Sequence, residues 1–269
     1  MRMLNNKLLT LVENLKDMGS AVLAYSGGVD STFLLKALQS SGIRTLAITA
    51  FSETTPRNDL LTAKKMVAEM AVEHRIIKTD ELSMEEFVSN TPERCFFCKD
   101  ERFRRFTSIA TSEGYHFLLD GSNIDDTFDY RPGRRAAKKY NVRSPLIEAG
   151  LLKKEIRELS RQLGLPTWDK PSSPCLSTRI PYGHRITKEV LRRIEKAEEF
   201  LREIGFHEVR VRDHNSVARI EVEEGEIGLL LTTEKRRLIS ERFQSLGYRF
   251  VSLDLHGYRS GSMNWLIEG

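Results

Sequence analysis

Residues 21–31 read Ala21-Val22-Leu23-Ala24-Tyr25-Ser26-Gly27-Gly28-Val29-Asp30-Ser31. Ala21 to Tyr25 have the length and apolarity of a buried strand. Ser26, Gly27 and Gly28 form a tight turn, and Asp30, Ser31 and Thr32 supply capping residues before the helical pattern Phe33, Leu34, Leu35, Ala37, Leu38. Two glycines let the backbone turn sharply and approach a ligand closely. The N–H groups at the start of the next helix favour an anion, most often phosphate. No Gly-Lys-Ser/Thr follows at the spacing of a Walker A loop.

Outward from this turn, strands alternate with helices. An amphipathic helix over 3–17 precedes it, with Leu4, Leu8, Leu9, Leu11, Val12 and Leu15 on its apolar face. Residues 45–50 read as a second strand, Thr55-Pro56 opens a helix to about Ala71, and residues 74–79 read as a third strand. Residues 83–90 and 99–112 read as helices and 117–120 as a fourth strand. The alternation predicts an α/β fold, a doubly wound parallel sheet. In that architecture ligands bind at the carboxyl ends of strands. The glycine turn, Ser52 and Gly121 all fall at such ends.

Residues 121–147 are polar and basic, with Asp125, Asp126 and Asp129 ahead of Arg131, Arg134, Arg135, Lys138, Lys139 and Arg143. Most of these charges read as a solvated face. Asp126, Arg131 and Arg134 are expected at an anion-binding rim, because the stretch begins at a strand end. A helix over 152–163 stops at Gly164, and a stiff loop with Pro166, Pro171, Pro174 and Pro181 follows. The domain boundary is expected after it, giving a main domain over 1–185 and a smaller one over 186–269. The second domain reads as a helix (187–204), two antiparallel strands (207–212 and 217–222), a helix (232–245) and a strand (248–253), a small α+β unit. Arg210 and Arg212 alternate onto one strand face and are expected to meet one substrate phosphate. Arg179 is a further candidate. Glu198 and Glu221 are possible cation ligands, with a surface role the plainer reading.

The 269 residues are 40% hydrophobic and 30% charged, enough for a sizeable core. A net charge of +4 suits anionic small molecules and does not demand nucleic acid. No apolar run has the length of a membrane span, and Glu13, Asn14 and Lys16 interrupt any signal-like segment. A cytoplasmic protein is expected, with no membrane partner. Three cysteines argue against a disulfide framework.

Cys95 and Cys98 form a C-x-x-C, and Cys175 stands in the proline-rich loop. Four readings are open. A redox pair normally opens a helix after a strand, whereas Pro92-Glu93-Arg94 precede this one. A structural zinc site needs a fourth ligand. All three thiols can be buried and inert. Three thiolates can also hold a [4Fe–4S] cluster and leave one iron open.

The string SGGVDS resembles the PP-loop of the ATP pyrophosphatases, the group of GMP synthetase, NAD synthetase and several sulfur-inserting enzymes. Together with ERCFFCK, DDTFDYRPGRRAAKKYNVRSPL, PCLSTRIPYG, RVRDHNSVARIEV and GYRSGSMN, it is similar to the LarE family of ATP-dependent sulfur transferases, from about Ala21 to Asn264. The resemblance implies ATP and Mg²⁺ as cofactors, with Ser26, Gly27, Gly28, Asp30 and Ser31 on the pyrophosphate and Asp30 on the metal. It implies action on pyridinium-3,5-biscarboxylic acid mononucleotide, a sulfide donor as partner and a homo-oligomer built through the second domain. In the single-cysteine branch the residue matching Cys175 gives up its own sulfur. The presence of Cys95 and Cys98 resembles the three-cysteine branch, in which a [4Fe–4S] cluster delivers sulfide. A tRNA thiolase of the same group, meeting RNA through residues 131–143, is the alternative enzyme, and a non-catalytic nucleotide sensor the alternative outside catalysis. The modest net charge and the lack of an RNA-binding appendage weigh against the thiolase.

Overall fold

The computed structural model describes residues 2–128 and 132–259, apart from the side chains of residues 2 and 3. Arg131 and residues 260–264 of the family-like motifs lie outside the described residues. The chain forms two compact units, one within Met1–Asp80 and Cys95–Ser173, the other within Glu81–Arg94 and Pro174–Gly269.

The first unit is built on four parallel strands, β1 (Ser20–Ala24), β2 (Arg44–Phe51), β3 (Glu73–Lys78) and β4 (Phe117–Leu119). Their order is β3-β2-β1-β4, with Val22 paired to Leu46 on one side and Leu118 on the other. Helices α1 (Arg2–Lys16), α2 (Val29–Ser41), α3 (Arg57–Glu69), α5 (Arg94–Ser112), α6 (Gly133–Lys139), α7 (Pro145–Glu148) and α8 (Lys153–Gln162) lie before, between or after them. Both sheet faces are apolar, as a parallel sheet requires. Ala21 and Leu23 pack in a core with Leu11, Leu15, Phe33, Leu34, Ile156 and Leu159. Val22 faces the other way, with Leu46, Ile48, Phe103, Phe106 and Leu118. The doubly wound parallel sheet expected from the alternation is present. Its strand order reverses between β1 and β4, and the crevice of such sheets opens at that point.

Two local readings are corrected. Helix α2 starts at Val29 with Gly28 as its cap residue, so Asp30, Ser31 and Thr32 sit inside the first turn rather than before it. Helix α5 starts at Arg94, not at residue 99, and takes the C-x-x-C into its opening turns. Phe96 packs partly buried against the core beside α5 and stacks edge-on with Phe97, and this packing outweighs the modest helix propensity of Cys and Phe.

In the second unit α9 (Lys188–Glu203), α10 (Ile227–Leu230) and α11 (Thr233–Ser245) accompany β5 (Arg210–His214), β6 (Val217–Glu221) and β7 (Phe250–Leu253). The strand order is β5-β6-β7; β5 and β6 are antiparallel as expected, while β6 and β7 run parallel. Leu201, Val211, Ile220, Phe243 and Tyr248 form its core. The short helix α4 (Glu85–Val88) and the turn after it also belong here. Buried Asn90 fastens them, donating to the carbonyls of Pro181 (2.7 Å) and His184 (2.9 Å) while its own Oδ1 accepts from Arg94. Among the described residues no helix is long and apolar enough to cross a membrane.

Candidate active site

The turn after β1 is tied by two hydroxyls. Ser26 and Ser31 bond through their Oγ atoms at 3.0 Å, Ser31 Oγ accepts from the Ser26 N–H, and the Gly28 N–H leans on Ser26 Oγ at 3.4 Å. Gly27 has φ +71°, and a Cβ there would stand 2.9 Å from Ala63 Cβ. Only glycine fits both demands. Gly121, after β4, needs no unusual φ, but a Cβ on it would lie 3.0 Å from the Ser31 nitrogen. The end of β4 therefore lies directly on the first turn of α2. Gly28 offers no side-chain acceptor to that turn, which leaves its N–H groups uncapped by any side chain. A glycine turn, a close-packed floor and an uncapped helix start make an anion seat.

Asp30 supplies the acidic part. Its Oδ2 accepts from Lys153 Nζ at 2.5 Å. Its Oδ1 is buried and has no hydrogen-bond partner among the described residues. Burial pushes the Asp30 carboxyl above its ordinary range; Lys153 opposes the shift and Asp126 adds to it. A desolvated carboxylate with one unmet oxygen beside an anion seat suits a hard divalent cation such as Mg²⁺. Lys170 completes the surround, donating to the Gly27 carbonyl at 3.2 Å and pairing with Asp59 at 2.9 Å.

The other nucleotide candidates fall around this turn unevenly. Ser52 is buried at the end of β2, and its hydroxyl bonds Thr54 Oγ1 at 2.9 Å within its own turn. Asp126 lies in a 3₁₀ turn (Asp125–Thr127), accepts from the Asn123 N–H at 3.0 Å and acts electrostatically on Asp30. Arg134 is exposed and braces that turn through the Thr127 carbonyl at 3.3 Å.

Cys95 and Cys98 stand three residues apart on α5, hence on one helix face, and both are half-buried. The helix they open follows the short α4 and a turn rather than a strand, so the redox reading gains a helix start without its usual strand. Cys175 belongs to the second unit, is half-buried, precedes a 3₁₀ turn (Leu176–Arg179) and lies 2.9 Å from Ser177 Oγ. Within neither unit do three or more His, Cys, Asp or Glu side chains of the described residues gather as around a metal ion.

The arginine candidates are buried in the second unit. Arg179 forks onto Glu198 and donates to the Pro174 carbonyl at 2.7 Å, which fixes the segment carrying Cys175. Glu198 also accepts from Arg202 and the Val211 N–H. Burial would raise its carboxyl; Arg179, with Arg210 and Arg202, outweighs this and holds it down at about 2. Arg212 forks onto Glu221 at 2.7 and 2.9 Å and reaches the Thr178 carbonyl at 3.0 Å. Glu198 and Glu221, expected at the surface, are both buried and engaged by guanidinium groups. Arg210 stacks over the Tyr258 ring at 4.6 Å. Burial lowers its pKa, and the charge of Arg179 lowers it further.

No family model matches the chain. It is 41% identical over 266 residues to an uncharacterized protein of Synechocystis, covering 98% of this chain and 99% of that one. It is 35% identical over 261 residues to an uncharacterized protein of Methanocaldococcus jannaschii, covering 94% and 98%. It is also 39% identical over 266 residues to the pyridinium-3,5-bisthiocarboxylic acid mononucleotide synthase of Lactiplantibacillus plantarum, covering 98% and 96%. The chain belongs to that synthase family.

The match to the synthase family spans both compact units, so neither is an appendage particular to this chain. It is the family expected from the motifs. Two members of the surround were not read from the sequence of this synthase-family chain. Lys153 falls within the helix expected over 152–163 with no role of its own, although two lysines in the first turn of α8 are themselves a signal, since helix starts favour acidic residues. Lys170 sits among the prolines, where no pattern marks it as reaching Gly27.

Proposed function

We propose that the protein is an ATP-dependent sulfur transferase of nickel-pincer nucleotide cofactor biosynthesis. It adenylates a carboxylate of pyridinium-3,5-biscarboxylic acid mononucleotide and exchanges it for a thiocarboxylate, releasing AMP and pyrophosphate. The observation that carries this reading is the glycine turn between β1 and α2, with Asp30 and Lys153 beside it, in a chain 39% identical to a protein named for the bisthiocarboxylic acid product.

Oxide does not leave a carboxylate, so adenylation must come first. One carboxylate oxygen attacks the α-phosphorus of ATP and pyrophosphate departs; that oxygen later leaves within AMP as sulfide takes its place. The protein's part is positioning and charge stabilisation. The N–H groups at the start of α2 take the polyphosphate, with Ser26, Gly27, Gly28 and Ser31 shaping the loop. Asp30 Oδ1 is the oxygen for Mg²⁺, which when bound offsets the charge of the departing pyrophosphate. Ser52 and Gly121 line the nucleotide's seat, Asp126 and Arg134 its rim, and Arg131 is a further substrate contact. Arg210 takes the substrate phosphate, whose negative charge offsets the repulsion between Arg210 and Arg179. Arg179 and Arg212 frame it from their carboxylate pairs.

Cys95, Cys98 and Cys175 are the ligands of a [4Fe–4S] cluster in this reading. Two half-buried thiols on one helix face suit a shared centre. The cluster, when bound, supplies the sulfide to be transferred. Free thiols persist in the cytoplasm, where we place the protein as a homo-oligomer supplied by a sulfide donor.

The test is anaerobic incubation with ATP, Mg²⁺, sulfide and the biscarboxylic acid mononucleotide. AMP and pyrophosphate should form in step with a product that has gained sulfur for oxygen, and the protein should hold about four irons per chain. AMP release stimulated by tRNA and not by the mononucleotide would establish the thiolase instead. A single turnover that converts Cys175 to dehydroalanine would establish sacrificial transfer.

A further inference from the structure

Helices α5 and α6 of the first unit hold more positive charge than the whole chain shows. Beyond buried Arg94, residues 95–112 carry four basic side chains (Lys99, Arg102, Arg104, Arg105) and two acidic ones, Asp100 and Glu101. Residues 133–139 carry four basic side chains and no acid. That is +2 and +4, so the two helices hold +6 in a chain of net +4, and the remainder is −2. The two acids are already engaged, Asp100 by Lys139 at 2.7 Å and Glu101 by Arg104 and Arg105. The helices pack together: a Cβ on Gly133 would stand 2.5 Å from Lys99 Cδ, and Ala136 shares a core with Phe103 and Phe106. Arg134, Arg135, Lys138 and Lys139 are exposed. Arg135 lies over the ring of Phe96, the neighbour of Cys95, at 4.6 Å. The cationic face therefore borders the C-x-x-C.

Like charges gathered on one face repel one another, an excess that an external anion relieves. Two kinds of polyanion suit such a face, RNA and an acidic protein. RNA-binding surfaces use open aromatic rings as platforms for unstacked bases. The rings set among these cations are already engaged: Arg135 lies over Phe96, Lys99 over Phe103 at 6.0 Å and Lys139 over Tyr140 at 5.1 Å. We infer that the exposed face of α5 and α6 docks an acidic protein, the donor that brings sulfide to the neighbouring cysteines. The inference rests on the sulfur-transfer reading and names the chemistry of its partner. A complementary field steers such a donor to the C-x-x-C and raises the encounter rate, an effect that salt weakens.

The test combines Lys138→Glu with Lys139→Glu in the full-length protein, since both side chains are exposed and neither belongs to the proposed nucleotide seat. A fluorescent glutamate-rich peptide is the first probe, with a glutamine peptide of equal length and tRNA as comparisons. Wild type should bind the glutamate peptide about tenfold tighter than the double variant does, with the difference shrinking at high salt. It should bind the glutamine peptide no better than the variant does. Purified variant given free sulfide should form AMP at the wild-type rate, because free sulfide needs no docking. In cells that make the mononucleotide, the variant should yield about tenfold less thiocarboxylate than wild type, and sulfide added to the medium should restore it. Lys138→Gln with Lys139→Gln serves the same comparisons if charge reversal unfolds the chain. Equal binding of the glutamate peptide by wild type and variant overturns the inference, as does tighter binding of tRNA than of that peptide at physiological salt. So does a cellular yield that the variant leaves unchanged, or a cellular loss that sulfide does not restore. Purified wild type that forms no AMP from the mononucleotide with free sulfide overturns the sulfur-transfer reading instead, while the peptide titration still reports on the face.

Discussion

Arg179 and Glu198 form a two-point ion pair, Nε to Oε1 at 2.8 Å and Nη2 to Oε2 at 3.0 Å, with side-chain exposures of 1% and 2%. Such a pair gives modest net stability when whole and a large penalty when broken, because the remaining charge stays buried. Glu198→Gln should therefore cost the second unit about 3–5 kcal/mol. Replacing both partners by methionine should cost clearly less than Glu198→Gln alone. Denaturant unfolding of the three proteins checks this, and a double variant as weak as the single one would refute it.

The same pair sets an acid limit. Glu198 is held at about 2 in the folded chain against an ordinary value of 4.5. A carboxyl lowered by folding stabilises the fold above its ordinary value, and that contribution fades as pH falls from 4.5 towards 2. Wild-type unfolding free energy should decline over this window, and Glu198→Gln should decline less steeply. Parallel slopes in urea titrations at several pH values would count against the assignment.

Asp30 has the opposite sign. Burial raises its carboxyl, so its ionised form works against folding. Stability from this site is greatest below the ordinary carboxylate range and is lost as pH rises through the raised value. Asp30→Asn should melt at or above the wild-type temperature at neutral pH, yet lower AMP formation at least about 100-fold. Thermal unfolding beside an AMP assay separates the two effects.

Gly27 and Gly121 differ in why they are glycines. Gly27→Ala meets both a left-handed φ and the Ala63 side chain, and should cost about 2–4 kcal/mol. Adding Ala63→Gly should return little of that loss, because the Ala63 Cα and nitrogen, each 3.0 Å from the added Cβ, stay in place and glycine weakens α3. Gly121→Ala has no φ problem but sets its Cβ against the Ser31 backbone, so it should cost less stability than Gly27→Ala while ATP binds about tenfold more weakly through a displaced α2 start. Melting curves and nucleotide titrations of the three variants test this division.

The parallel sheet was legible because its signals are local: apolar runs of strand length, glycine turns and helical spacing between them. The glycine turn was legible for the same reason. What long-range contacts decide was not. Nothing in residues 81–94 marks them as belonging with residues beyond 174, because Asn90 makes its decisive bonds to Pro181 and His184 about ninety positions away. Glu198 and Glu221 read as surface residues because their helix and strand are rich in charge. Their burial depends on arginines brought in from a loop and a neighbouring strand. Lys153 stayed hidden because a lysine at a helix start has meaning only once Asp30 is seen beside it.

The cysteines give the last prediction. Cys95 and Cys98 share a helix face in the first unit, while Cys175 precedes a 3₁₀ turn of the second, held by Arg179 through the Pro174 carbonyl. If the three thiolates serve one cluster, each alone is indispensable, and alanine at any of them should remove the iron and end multiple turnover together. If instead Cys175 is the sulfur source, only Cys175→Ala should lose the first turnover. Cys95→Ala and Cys98→Ala would then keep one turnover per chain, and the spent protein would carry dehydroalanine at position 175. Iron content, turnover number and intact mass of the three variants, measured anaerobically, separate these outcomes. Sustained multiple turnover in any one of the three would exclude the cluster mechanism, because a site holding its iron through three thiolates has none to spare.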